Sequence, residues 1–93
     1  HNLALISQEE DAPVPHWARD MDEKIKTLLL ARDHDALVGY PHTGLHASQG
    51  IPTQDHYLPM LYILGLQEKS EKIKFIHEGL QNASISMRCF ALA

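Results

Sequence analysis

An α/β fold, with two to three helices followed by two strands, is what this 93-residue sequence predicts, and three stretches carry the prediction. Trp17, Met21, Ile25, Leu28 and Leu29 recur at the spacing of one helix face, while Arg19, Asp22, Glu23, Lys26 and Arg32 fall largely off it. Ile51 to Gly65 reads as a helical segment, and the apolar stretch from Tyr57 to Leu66 is interrupted only by Pro59. Ile73 and Phe75 alternate with Lys72 and Lys74, the two-residue period of a half-exposed strand.

In chain order, residues 1–6 read as a strand-like or loop approach. Ser7 to Pro15 reads as an acidic linker, because Pro13 and Pro15 exclude helix and Glu9, Glu10 and Asp11 favour solvent. The first helix starts at Trp17. A second short helix is expected from Asp35 to Tyr40, with Asp33 or His34 at its start and Gly39 and Pro41 ending it. His42 to Gly50 reads as a loop. Pro52 then stops the preceding chain, and Thr53 is placed to cap a third helix that puts His56 on its first turn and ends at Gly65. Pro59 removes a hydrogen bond near that helix start, which suggests a bend that aims His56 inward. Gln67 to Glu71 makes a polar turn, and the first strand runs through His77. A last strand is expected to carry Ile85, Met87 and Cys89 on one face and Ser84, Ser86 and Arg88 on the other.

Composition narrows the function. A net charge of −4, with eight basic residues spread among twelve acidic ones, offers no patch for a phosphate backbone, so nucleic acid is not an expected partner. The longest apolar stretch is too short to span a bilayer, and no signal peptide is visible, so no membrane is expected either. Cys89 is the single cysteine, which suits a reducing cytoplasm. Seven histidines favour a metal or acid–base site. Among them His56 stands out, because a proton-binding ring ahead of Tyr57, Leu58, Pro59, Met60, Leu61, Tyr62, Ile63 and Leu64 is costly without a partner. His16, His34 and His77 read as helix-start and strand-end residues with no chemistry. Tyr57, Tyr62, Met60 and Met87 read most simply as core.

Four landmarks stand in order along nearly the whole chain. They are His1-Asn2-Leu3, an acidic helical stretch, Pro52-Thr53-Gln54-Asp55-His56-Tyr57-Leu58-Pro59, and Ser86-Met87-Arg88. In this order the sequence resembles the C-terminal part of the class III extradiol ring-cleavage dioxygenases, in the 4,5-DOPA dioxygenase-like subgroup. The resemblance implies that residues 1–93 are the C-terminal part of a catalytic, three-layer α/β domain whose N-terminal part precedes His1. It implies a nonhaem Fe(II) in the active enzyme, or Zn(II) in the isolated protein, with a catecholic substrate and O2. By likeness, His56 is the third metal ligand, the other two lying in the N-terminal part, and His1 is the catalytic acid–base residue.

The chemistry is consistent with those residue types. Ring opening by dioxygen needs a redox-active metal with free positions on one face. It also needs a group that takes and returns a proton beside it. His46, in the loop leading to His56, is a candidate for contact with substrate. Arg88 is another, through a substrate carboxylate, with an ordinary salt bridge as its plainer role. The competing reading is a non-catalytic metal-binding or structural module in which the histidine-rich segments carry zinc or simply pack.

Overall fold

The computed structural model describes residues 1–93 and places the helices first and the strands last, as expected for the α/β class. Helix α1 runs His16–Leu30, α2 His34–Gly39, α3 Leu45–Gly50 and α4 Leu58–Gly65; strands β1 Ile73–His77, β2 Leu80–Gln81, β3 Ile85–Ser86 and β4 Cys89–Leu92 follow. Short 3-10 turns cover Leu3–Leu5 and Tyr40–His42. No helix is long and apolar enough to cross a membrane.

Local chemistry explains most boundaries. The amphipathic stretch forms α1 and buries Ala18, Leu28 and Leu29. It closes where Arg32 adopts a positive φ of 55° and the Asp33 amide donates to the Leu28 carbonyl at 3.0 Å. Asp33 then caps α2, its side chain accepting from the Ala36 amide at 3.2 Å, and Gly39 ends that helix as expected.

Three expectations are corrected. Residues 42–50 are not a loop: after the 3-10 turn that contains buried Pro41, they wind into α3. The sequence carries no apolar periodicity there because α3 is only six residues long and buries only Ala47 and Gly50. The Thr53 cap does not form either. Residues 52–57 are bends and turns, with the Tyr57 and Leu58 amides donating to the Gln54 carbonyl, and α4 begins at Leu58. Pro59 therefore lies in the first turn of α4, where its missing N–H has no intrahelical partner to lose. It starts the helix and does not bend it, and His56 precedes the helix.

The single last strand is likewise two. β3 pairs antiparallel with β2, Leu80 opposite Ser86 and Gln81 opposite Ile85. β4 pairs antiparallel with β1, with Phe75 opposite Phe90 and Ile73 opposite Leu92. Asn82 and Ala83, at φ 51° and 71°, turn the chain between β2 and β3. Met87 and Cys89 are exposed, so the expected apolar face of that strand does not exist.

The core is Leu28, Leu29, Leu37 and Leu64, with Ile73, Phe75 and Phe90 of the β1–β4 pair packed against it. Tyr57 adds a buried tie, its hydroxyl donating to the Leu37 carbonyl. Burial, with Tyr40 nearby, pushes that phenol up to about 12. The N-terminal segment is also held. Ser7 and Asn82 exchange main-chain and side-chain hydrogen bonds at 2.9 and 3.0 Å, and Asn82 donates to the Glu10 carbonyl at 3.0 Å, so residues read as a solvated linker lie against the β2–β3 hairpin.

Candidate active site

His1 and His56 come together. Their rings meet edge to face with centroids 4.4 Å apart, although 55 positions separate them. The approach is built from main-chain groups. Helix α3 ends with carbonyls that lack intrahelical partners. The Gly50 carbonyl accepts from the His1 amine at 3.0 Å, and the Gln49 carbonyl accepts from Asn2 Nδ2 at 2.9 Å. Asn2 Oδ1 in turn accepts from the Ala4 amide and caps the first 3-10 turn. On the other side, the turn before α4 delivers His56.

Both rings line a cavity of about 200 Å³ whose walls are mainly apolar: Trp17, Ala18, Met21, Ile25 and Leu29 of α1, Ile51, Met60 of α4, and Phe90 of β4. The same two rings line a smaller adjoining cavity of about 80 Å³ with Thr53 and Tyr57. The pair thus stands where an apolar hollow meets the surface.

Arg88 also reaches the larger cavity, but its charge is already engaged. Its side chain is 7% exposed and bonds to Asp22, itself 9% exposed, at 2.6 and 3.2 Å, and to Glu78. Ser86 donates to the same Asp22 carboxylate, and Lys26 pairs with Glu78 at 2.8 Å. Burial works against the guanidinium's charge, but Asp22 and Glu78 outweigh it and raise its pKa. The plainer of the two roles considered for Arg88 is therefore the one the geometry displays: it staples the segment between β3 and β4 onto α1. His46 is not brought to the cavity. It is exposed and lines a separate shallow depression with Tyr40, Thr43 and Leu45, because the α3 helix turns it away from His56.

No group of three or more His, Cys, Asp or Glu side chains is placed to hold a metal ion. The chain presents two imidazoles, whereas a catalytic divalent metal takes about three protein donors. These residues fit part of a metal site and not a whole one. Tyr62, read as core, is exposed. Gly50 and Met21 line the cavity and Asn2 braces α3; Gly50 carries no signal in the sequence, because the six-residue α3 that ends on it is too short to show a periodicity.

No protein-family model matches the chain. Over 91 residues it is 35% identical to the 4,5-DOPA dioxygenase extradiol of Escherichia coli (strain K12), an alignment covering 94% of this chain and 33% of that protein. The chain spans about a third of that relative's length. The crystal structure of uncharacterized protein JW3007 from Escherichia coli K12 superposes with a TM-score of 0.80 at 34% identity, over 95% of this chain and 37% of the other.

Proposed function

We propose that residues 1–93 form the C-terminal part of a catalytic domain that opens catechol rings with O2, an extradiol dioxygenase that uses a nonhaem divalent metal, with the reducing cytoplasm as its setting. The observation that carries this reading is the contact between His1 and His56 at the rim of an apolar cavity. Neither ring has a carboxylate partner, and the chain is 35% identical over 91 residues to part of a protein named an extradiol dioxygenase. In this reading His56 donates one ring nitrogen to the metal, Fe(II) in the active enzyme or Zn(II) as isolated, and the remaining ligands come from the preceding part of the domain. Such a metal, when bound, supplies the site for both substrate oxygens and O2.

This chain's own residues do the rest. His1, clamped by the Gly50 carbonyl, holds its imidazole where it takes a phenolic proton and later returns one. The apolar wall of Trp17, Met21, Ile25 and Phe90 accepts a flat aromatic ring and excludes water around it. A second observation supports a larger domain: α4 is apolar all round, yet Tyr62 and Leu66, the residue that caps its C-terminus, are each 75% exposed, a surface suited to the preceding part of the domain.

The test is a polypeptide carrying these residues together with the preceding part of the domain, loaded with iron(II) under anaerobic conditions and then given catechols and O2. A yellow ring-opened semialdehyde is expected. His56→Ala is expected to lose both metal and product, and His1→Ala to keep the metal and lose the product. Absence of product from every catechol, together with unchanged metal content in His56→Ala, would overturn the reading.

A further inference from the structure

We propose that Gly50 is the positioning residue of this site: its carbonyl holds His1 against His56, and its missing side chain berths the Met21 thioether that walls the cavity. The inference rests on the reading of His1 and His56 as a working pair and adds what keeps them paired.

Gly50 is the buried last residue of α3, and its carbonyl receives the His1 amine at 3.0 Å. A Cβ built at this position falls on the Met21 sulfur, lies 2.5 Å from the Met21 methyl and 3.7 Å from Trp17 Cζ3. The backbone of Gly50 is not in the left-handed region, so alanine is tolerable in conformation and conflicts only with the end of the Met21 side chain. One of the two groups must move, and the unbranched, three-torsion methionine is the softer. The free volume open to Met21 is the cavity that it lines together with His1 and His56. A methyl group at position 50 therefore pushes the thioether into the space beside the His1 ring.

This geometry predicts a particular pattern of loss and rescue. The measurement is the cross-relaxation between the His1 and His56 ring protons in the 93-residue chain, a contact expected from rings 4.4 Å apart. Wild type and Met21→Ala show the cross-peak. Gly50→Ala loses it while its far-ultraviolet circular dichroism stays that of the wild type. The double variant Gly50→Ala/Met21→Ala regains it, because the berth is no longer contested. A general helix-end role for Gly50 would not be rescued by shortening Met21.

Retention of the cross-peak in Gly50→Ala at wild-type intensity would overturn the proposal. So would its absence from the double variant, whether that variant is folded or not. If Gly50→Ala alone fails to fold, recovery of both fold and cross-peak in the double variant still supports it. A wild-type chain without the cross-peak would instead overturn the pairing of His1 with His56 and the proposed function with it.

Discussion

Helices α1 and α4 pack against the same leucine core, yet they are built differently. Along α1 the apolar residues keep to one face, Ala18, Leu28 and Leu29 are buried, and the polar face carries Asp22 and Lys26 into ion pairs with Arg88 and Glu78. Its ion pairs close within this chain. In α4 nearly every residue is apolar, but only Leu64 is buried, while Tyr62 and Ile63, and Leu66 just past its end, are exposed. A helix that is apolar all round is built for burial on all sides. The difference separates the half of the molecule that stabilises itself from the half that, under the proposed function, receives the preceding layer of a larger domain.

The comparison breaks most readily at the core. Leu29→Ala removes a side chain that α1 buries fully against Leu37 and Leu64, and it is expected to cost about 2–5 kcal/mol, read as a lower urea midpoint or outright loss of cooperative unfolding. Arg88→Met comes next. It strands the nearly buried Asp22 carboxylate, and a loss of about 2–3 kcal/mol is expected, below that of a fully enclosed pair because Glu78 remains at the surface. An equal midpoint for the variant and the wild type would show that the α1 staple contributes nothing.

Acid sharpens the same point. The hydrogen bond from Lys26, followed by that from Arg88, holds Glu78 below its ordinary carboxylate value of 4.5. A depressed folded value means that the stabilisation is present above that ordinary value and is lost as pH falls through the lower, folded one. The urea midpoint should therefore drop on acidification below pH 4.5, and by less in Glu78→Gln. The smallest effect belongs to α4: Leu66→Ser, at a position 75% exposed, is expected to change stability by no more than about 0.5 kcal/mol while reducing the binding of a hydrophobic dye. A large destabilisation there would show that the outer face of α4 is already packed.

Reading the sequence works best where one element explains its own residues. The Trp17–Leu29 spacing, the Asp33 cap, the stop at Gly39 and the Ile73–Phe75 alternation all reappear in the structure, because each depends on neighbours a few positions away. Helix α3 was illegible: at six residues its periodicity is too brief to register. Pro59 was misread because a proline in a first turn and a proline that kinks a helix look alike until the helix start is known. His46 was read near His56 from a short separation along the chain, and α3 turns it elsewhere.

His1 and His56 were legible as candidates through their motifs, but nothing in the spacing says that they touch. Local periodicity and turn chemistry thus determined the class of fold, and the resemblance of two motifs to a known family pointed to the residues able to do chemistry. The tertiary structure alone decided which of them meet. Contact between His1 and His56 depends on α3 carbonyls, a glycine with room for Met21 and a hairpin that ties down Ser7, all distant along the chain and adjacent only after folding.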